Sequence, residues 1–337
     1  MGAFPLLLSM VIAALLSSAL TWTLLPLLIR YALARPNARS SHRIPTPQGA
    51  GIAVLCATLI GASITIVLAG STRLQFPVAI FGASLFIALV GAADDIKSVP
   101  VLPRLLLQAL AVAVVVFSLP GNLQIAPFCP LWIERGIVLV AGLWFVNLVN
   151  FMDGLDWMTV GETVPVTAAL VLLGWLGDVA PPTVLTAAAL GGAMLGFAPF
   201  NRPVAKVFLG DVGSLPIGVL LGWCLLELAY QGQLVAALLL PLYYLADATV
   251  TMLRRLLAGE KIWAAHRSHF YQRATDNGFT VLGVVGNVFR LNLGLAALAI
   301  ASTQMQSPVA SILLLALGAV ATAWLMFRFS KPRHPAR

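Results

Sequence analysis

The sequence is dominated by apolar runs whose length matches the thickness of a lipid bilayer. A helix needs roughly 20 consecutive apolar residues to span a membrane. Runs of that length predict spans at 4–29, 49–69, 76–92, 103–120, 132–149, 159–177, 183–200, 215–230, 234–253, 280–301 and 308–327. Because transmembrane strands are shorter and alternate in polarity, we predict an all-α, polytopic integral membrane protein with about eleven transmembrane helices.

Composition excludes the other common classes of protein. Of the 337 residues, 60% are hydrophobic and 9% are charged, against roughly 45–50% and about 25% in a typical soluble domain. The three cysteines lie far apart without a C-x-x-C pair, so neither a zinc site nor a redox motif is indicated. The first run is long enough to span and has no basic n-region before it, which argues against a cleaved signal peptide. We predict one transmembrane domain over 1–337, ending in a short cytoplasmic tail at 328–337.

The basic residues behind the net charge of +8 fall mostly on one predicted side of the membrane. With eleven spans, 17 of the 20 Lys and Arg residues fall on one face, whereas Arg73 and Arg135 fall on the other and Arg290 lies inside a span. Basic residues mark the cytoplasmic side of membrane proteins. We therefore place the N-terminus outside and the C-terminus in the cytoplasm, and we expect no nucleic-acid partner.

The scarce polar side chains gather at the same predicted cytoplasmic face. Taken singly, each cluster has a plain interpretation as a helix cap, a turn or a solvated loop. Together they bring carboxylates, cations and histidines to one membrane surface, which indicates a functional site. The candidate residues are Arg43, Asp94, Asp95, Asn147, Asn150, Asp153, Asp156, Lys206, Asp211, His266, Arg267 and His269.

These residue types suit phosphoryl transfer. Carboxylate oxygens bind Mg²⁺, which is usually shared with substrate phosphates, and Arg, Lys and His can hold a diphosphate. Phosphoryl transfer depends mainly on positioning and charge neutralisation. The sequence contains neither a Walker loop nor a G-x-G-x-x-G motif. We therefore expect a nucleotide-activated donor rather than ATP, and an acceptor that approaches from the lipid phase.

Five segments carry a family resemblance. They are SSHRIPTPQGAG at 40–51, GAADDIKSVPVLPRLLLQ at 91–108, NLVNFMDGLDWM at 147–158, FNRPVAKVFLGDVGS at 200–214 and AAHRSHFYQR at 264–273. In this order they resemble the polyprenyl-phosphate N-acetylhexosamine-1-phosphate transferases (glycosyltransferase family 4), which include phospho-MurNAc-pentapeptide transferase. The HRSHFYQR segment resembles the branch that initiates O-antigen, and it lacks the consecutive histidines expected of the peptidoglycan enzyme.

The resemblance implies a reaction and a role for each candidate residue. A UDP-N-acetylhexosamine would give its sugar 1-phosphate to undecaprenyl phosphate on the cytoplasmic face of a bacterial inner membrane, with release of UMP. Asp211 would bind Mg²⁺, with Mn²⁺ as the alternative ion, while Asp94 and Asp95 would position or deprotonate the lipid phosphate or support the metal. The remaining roles divide between the nucleotide and metal site (Asn147, Asn150, Asp153, Asp156) and contacts to the diphosphate or sugar (Arg43, Lys206, His266, Arg267, His269).

Some positions depart from the family pattern or lie inside spans. Gln48 and Ala50 stand where a basic residue and Gly are common, and Trp157 stands where Gly often follows the second Asp of D-G-x-D. Asp247 and Arg290 are intramembrane charges, which are either functional or paired between helices.

Two other functions are weighed against this hypothesis. Phospho-MurNAc-pentapeptide transferase shares the mechanism and differs in the sugar. A secondary transporter would place polar groups near the midplane and show repeats between its halves, whereas the polar residues here cluster at one face. The sequence leaves open which N-acetylhexosamine is used and the oligomeric state, a homodimer included.

Overall fold

The computed structural model describes residues 2–34, 45–69, 76–120, 124–261, 263–264, 266–305 and 307–333. Within these ranges the regular secondary structure is helical apart from two short strands, β1 (Leu33–Ala34) and β2 (Thr46–Pro47). The helices are α1 (Ala3–Tyr31), α2 (Gly51–Leu68), α3 (Val78–Ile96), α4 (Val101–Ser118), α5 (Leu131–Met152), α6 (Met158–Leu176), α7 (Pro181–Phe197), α8 (Asp211–Tyr230), α9 (Leu234–Leu239), α10 (Leu242–Leu257), α11 (Phe270–Asp276), α12 (Val281–Gln304) and α13 (Pro308–Phe329).

The predicted all-α membrane fold is confirmed. Nine helices of the described part are long and apolar enough to cross a membrane, and α7 is a shorter apolar helix. The span predicted at 234–253 is instead broken into α9 and α10. Pro241 lies at the break, where it has no N–H to donate to the preceding turn.

The start of α8 differs from the prediction in a way that matters for the site. The helix begins at Asp211 rather than at residue 215, so Asp211 belongs to its first turn. Gly210 precedes it with a φ of 76°, a left-handed conformation that glycine adopts without steric cost. A side chain at this position would also collide with Asp95.

Close backbone contacts bring α2 and α3 against the first turn of α8. A Cβ atom on Gly51 would overlap the backbone of Gly213, and one on Gly91 would overlap the backbone carbonyl of Asp211. Helices in membranes approach most closely where small residues face each other. Gly51 therefore fixes how close the start of α2 lies to α8, and Gly91 fixes how close the end of α3 lies to the start of α8.

The two short strands brace the same region. β1 and β2 pair antiparallel, with Leu33 opposite Pro47, and Gln48 forms an isolated bridge to Phe208. The backbone N–H groups of Gly49 and Ala50 both donate to the Phe208 carbonyl. The chain before α2 is thereby tied to the chain before α8.

Inside the bundle, a polar pair joins α6 to α12. Asn292 donates to the Glu162 carboxyl at 2.7 Å and to the Gly161 carbonyl at 3.1 Å, and both side chains are buried. Arg290 is exposed on α12, and its guanidinium lies 3.5 Å from the Asn287 amide oxygen. Among the described residues, Arg290 therefore contacts its own helix rather than an acid on another.

Candidate active site

A cavity of about 560 Å³ lies where α3, α5 and α8 end or begin, beside α10 and the chain that precedes α11. Its volume is in the ordinary range for small-molecule sites. Residues predicted from four separate regions of the sequence line it together. They are Asp95, Asn147, Asn150, Asp153, Asp156, Asp211, His266 and His269.

Asp95 holds the first turn of α8 from across the helix interface. Its two carboxyl oxygens accept hydrogen bonds from the backbone N–H groups of Asp211 and Val212, each at 3.0 Å. The first amides of a helix have no partner within the helix and carry a partial positive charge. A carboxylate of α3 satisfies them here, so Asp95 determines where the Asp211 side chain lies.

Asp94 is engaged on both of its oxygens. Oδ1 accepts from the Val99 N–H at 2.6 Å, and Oδ2 accepts from Arg104 Nη1 at 2.8 Å. The Asp94 carboxyl also interacts directly with that of Asp211. Two carboxyl groups in contact repel each other unless a proton or a cation lies between them.

Arg104 is a residue of the candidate site that the sequence analysis missed, because it was counted only among the basic residues that indicate membrane orientation. It lies in the first turn of α4, ten residues after Asp94, and it lines the cavity. Its Nε atom is buried and has no hydrogen-bond partner within the described residues. Its position inside the 91–108 segment, shortly after Asp94 and Asp95, was the sequence feature that could have identified it.

Two asparagines of α5 line the cavity in different ways. The Asn150 amide donates to Asp211 Oδ1 at 2.7 Å and to Ser214 Oγ at 2.8 Å, which fixes the Asp211 carboxyl from a second helix. Asn147 donates to Gln108 Oε1 at 2.7 Å. Gln108, a buried residue of α4, was also not singled out from the sequence.

The loop after α5 carries Asp153 and Asp156. Asp153 accepts a hydrogen bond from the Thr159 hydroxyl, and Asp156 accepts one from the Ala205 N–H at 3.0 Å. Burial raises the pKa of Asp153 from its usual 3.8 to about 7, and the nearby charges of Asp95 and Asp156 act in the same direction. Asp153 therefore gains or loses its proton near neutral pH.

Trp157, which stands where Gly is common in the family, has a left-handed backbone conformation and a side chain held by hydrogen bonds. It has a φ of 64°, in the left-handed region where glycine is favoured and other residues are strained. Its N–H donates to Asn201 Oδ1 at 2.8 Å, and its indole N–H donates to the Ala198 carbonyl at 2.6 Å. The side chain thus anchors the turn before α6 to the segment after α7.

The histidine segment is held by Asp247. This fully buried carboxyl accepts from the N–H groups of Phe270 and Tyr271 at 3.0 and 3.1 Å, and it lies 3.2 Å from His269 Nδ1. The predicted intramembrane charge thus has an interhelical role. It fixes the start of α11 and the orientation of the His269 ring, which leaves the ring facing the cavity.

The remaining candidates are His266, Arg267, Lys206 and Arg43. The His266 ring lines the cavity beside His269, with the two ring centroids 4.9 Å apart. Arg267 instead contacts Thr275 Oγ1 at 2.9 Å and Asp276 at 3.3 Å. Neither Arg267 nor the exposed Lys206 lines the cavity. Arg43 lies outside the described residues.

One wall of the cavity is apolar and reaches the lipid-facing surface. It is formed by side chains of α4, α5 and α10, and Val140 of this wall is 68% exposed on α5. The wall residues are Val101, Leu105, Val140, Leu143, Trp144 and Met252. A polar pocket with an apolar mouth in the membrane suits a ligand that has a charged head and a hydrocarbon chain.

The carboxyl groups of the cavity suit an ion such as Mg²⁺, which is bound partly by water and substrate, better than a metal ion bound by protein ligands alone. No three His, Cys, Asp or Glu side chains are grouped as a metal site within the described ranges. Mg²⁺, however, is commonly bound by one or two carboxylates together with water and substrate phosphates. The contact between the Asp94 and Asp211 carboxyls provides such a pair.

The chain is similar in sequence to known proteins. The profile of the family described as glycosyl transferase family 4 matches residues 77–229, a range that includes Asp94, Asp153 and Asp211. The chain is 28% identical over 314 residues to the decaprenyl-phosphate N-acetylglucosaminephosphotransferase of Mycobacterium leprae, covering 82% of this chain and 78% of the relative.

Two further relatives extend the comparison. The chain is 26% identical over 279 residues to the probable undecaprenyl-phosphate N-acetylglucosaminyl 1-phosphate transferase of Bacillus subtilis, covering 77% and 76% of the two chains. It is 29% identical over 259 residues to the phospho-N-acetylmuramoyl-pentapeptide-transferase of Orientia tsutsugamushi, covering 63% and 70%. The resemblance predicted from the five segments is confirmed by these matches.

Proposed function

We propose that this relative of the glycosyl transferase family 4 proteins transfers an N-acetylhexosamine 1-phosphate from a UDP-activated donor to undecaprenyl phosphate in the membrane. The products are UMP and a lipid-linked diphosphate sugar. The names of the mycobacterial and Bacillus relatives support the polyprenyl-phosphate acceptor and the N-acetylglucosamine class of sugar.

One observation carries the proposal. Asp95 at the end of α3 and Asp211 at the start of α8 line a single cavity, together with Arg104, His266 and His269. Asp94 contacts both Arg104 and Asp211. Acids suited to a divalent ion and cations suited to phosphate thus lie next to an apolar wall. A transporter site would require polar groups near the midplane, whereas these lie at the ends of helices.

The reaction exchanges one phosphoanhydride for another. An oxygen of the acceptor phosphate attacks the β-phosphorus of the donor, and the bond from that phosphorus to the oxygen of UMP breaks. Much of a phosphate monoester is already dianionic at neutral pH, since its second pKa is about 6. The residues of the cavity therefore have to orient the two phosphates and reduce their repulsion rather than supply a strong base.

Within this proposal each group has a stated task. Arg104, with a free Nε beside Asp94, holds the acceptor phosphate at the apolar mouth. His266 and His269 contact the donor diphosphate. Asp211, fixed by Asn150, and Asp94 would hold Mg²⁺ or Mn²⁺. When bound, that ion would neutralise charge on the transferred phosphoryl group.

The pathway and the membrane side are part of the same proposal. The HRSHFYQR segment supports an enzyme that initiates O-antigen or a related surface polysaccharide, acting at the cytoplasmic face of a bacterial inner membrane. The distribution of Lys and Arg supports that orientation. The match to the Orientia relative makes transfer of phospho-MurNAc-pentapeptide the second candidate, with the same chemistry on another sugar.

A product assay tests the proposal and separates the candidates. Membranes containing the protein are incubated with undecaprenyl phosphate, Mg²⁺ and one donor at a time from a panel of UDP-N-acetylhexosamines and UDP-MurNAc-pentapeptide. Lipid extracts are analysed by mass spectrometry and UMP is measured in parallel. UMP release that requires the lipid and the ion supports the proposal, and the mass of the product identifies the sugar. Absence of lipid-linked product across the whole panel contradicts it.

A further inference from the structure

A second cavity, of about 270 Å³, lies beside the C-terminal end of α10 and shares no lining residue with the first. The segment before α11 separates the two. His266 and His269 of this segment line the first cavity, whereas Ser268 lines the second. The second cavity is therefore a distinct space on the other side of the segment that carries the two histidines.

The charged lining of this cavity is three arginines and one glutamate. Arg255 Nε binds Glu260 Oε2 at 2.8 Å, and its Nη1 and Nη2 atoms donate to the carbonyls of Ala264 and Lys261. Arg255 is thus a structural residue whose charge is compensated by Glu260. Arg254 and Arg273 supply two further positive charges.

Neither Arg254 nor Arg273 has an acidic partner among the described residues. The Arg254 guanidinium lies over the Phe270 ring, 5.4 Å from its centroid, a contact that fixes its position without neutralising it. Guanidinium groups held in a concave site form charge-assisted hydrogen bonds with phosphate oxygens. The chemistry that complements this cavity is an anion with several oxygen atoms.

The surroundings indicate that the anion belongs to a lipid. The last turns of α10 expose Leu253, Leu256 and Leu257, which are 52%, 58% and 87% exposed. Arg254 and Arg255 lie between Leu253 and Leu256 in the sequence. Exposed leucines next to cations on an amphipathic helix are typical of a membrane interface with anionic headgroups.

We propose that this second cavity binds the phosphate group of an anionic membrane lipid through Arg254 and Arg273. The site does not take part in the proposed transfer reaction and does not depend on it. Because Ser268 contacts His266 Nδ1 at 2.9 Å, a bound headgroup stabilises the histidine segment from its outer side.

Lipid retention by the full-length protein tests this proposal. The protein is purified in neutral detergent, mixed with phosphatidylglycerol or phosphatidylcholine, and examined by native mass spectrometry for retained lipid. The test variants are Arg273→Gln and the double variant Arg254→Gln/Arg273→Gln. The matched control is Arg328→Gln/Lys331→Gln, since these two cations also lie over aromatic rings but outside the cavity. Size-exclusion chromatography shows that each variant is folded.

The expected result is selective retention of phosphatidylglycerol. Loss of the two arginines should weaken it about tenfold to a hundredfold, because hydrogen bonds to charged groups contribute roughly 1.5–3 kcal/mol. The single variant should lie between, and the control should behave as wild type. Inorganic phosphate is added in a separate arm as a competitor. If it binds the cavity and phosphatidylglycerol does not displace it, the lipid assignment is overturned in favour of a soluble anion. Equal losses in the test and control variants, or no loss in either, overturn the site itself.

Discussion

The Asp95 carboxylate of α3 accepts a hydrogen bond from the backbone N–H of Asp211, the first residue of α8. A second bond, to the Val212 N–H, uses the other carboxyl oxygen. Of two adjacent acids in the sequence, Asp95 therefore supports a helix and Asp94 faces Arg104 and Asp211. Because the two acids have different partners, substitutions of Asp94 and of Asp95 should have different effects on stability and activity.

Asp95→Ala should lower both stability and turnover. The two amides at the start of α8 lose their acceptor, which costs about 0.5–2 kcal/mol as for other helix caps, and Asp211 loses its fixed position. Asp95→Asn keeps one acceptor oxygen and should be intermediate. Thermal unfolding in detergent and the product assay measure the two effects. Unfolding temperatures equal to wild type in both variants would contradict the capping role.

Asp211→Asn should abolish turnover while the protein stays folded. The change keeps the shape of the side chain but removes a negative charge that the divalent ion requires, and we expect a loss of at least about a hundredfold. The measurement is UMP release over a titration of Mg²⁺ and Mn²⁺. Asp178→Asn, at the other end of the bundle, is the control. Near-normal activity at ordinary Mg²⁺ would remove Asp211 from the metal site.

Arg104→Gln should raise the KM for the lipid acceptor about tenfold to a hundredfold, the range for a hydrogen bond to a charged group, with a smaller effect on the donor KM. Arg104→Lys keeps the charge without the planar fork and should recover part of the loss. Lys97→Gln, an exposed cation near the same turn, is the control. A larger change in the donor KM than in the acceptor KM would move Arg104 to the donor side.

Asp153→Asn should stabilise the protein more at high pH than at low pH. The carboxyl has a pKa of about 7 in the folded protein against 3.8 ordinarily. It therefore binds its proton more tightly when folded, and its contribution to stability falls as the pH rises from about 4 to about 7. Unfolding temperatures are compared at pH 5 and pH 8 with a chelator present. The exposed Asp276→Asn variant should show no such difference, and a gain for Asp153→Asn that is larger at pH 5 would refute the shift.

Asp247→Asn should disturb the histidine segment more than it disturbs the bundle. An asparagine keeps one acceptor oxygen and turns its NH₂ towards the other of the two amides of Phe270 and Tyr271, which then loses its acceptor at a cost of about 1–3 kcal/mol. We expect faster hydrogen exchange at residues 270 and 271 and a kcat at least about tenfold lower. Tyr243→Phe, which removes one donor to the same carboxyl, is the milder control. Unchanged exchange at both amides would show that Asp247 does not hold the segment.

The sequence predicted the class of fold well because hydropathy depends on length and composition alone. Runs at 4–29 and 49–69 became α1 and α2 with ends displaced by only a few residues. The break at Pro241 was not predicted, since the apolar run continues through it. The two short strands were not predicted either, because each has only two residues.

The candidate site was predicted as a set of residues rather than as an arrangement. Eight of the candidates line one cavity, because they lie at span ends that the alternation of helices brings to one face. Arg104 was missed because a basic residue near a span end is ordinarily read as topology. The separation of Arg267 from its neighbours His266 and His269 depends on its contacts with Thr275 and Asp276, which spacing does not reveal.

By itself, the sequence determined that the chain is a helical membrane protein, which polar segments are candidates for a functional site, and which family they resemble. It did so because each of these properties is local: a run of apolar residues, a motif, a count of charges. Only the tertiary structure decided which acid caps a helix and which faces a cation, and that Asp247 supports the histidine segment. It also decided that two arginines without an acidic partner in the described part of the chain border a second cavity. Those properties depend on which side chains of helices distant in the sequence come into contact. Close backbone contacts, such as that between Gly91 and the start of α8, set the positions of these helices relative to each other.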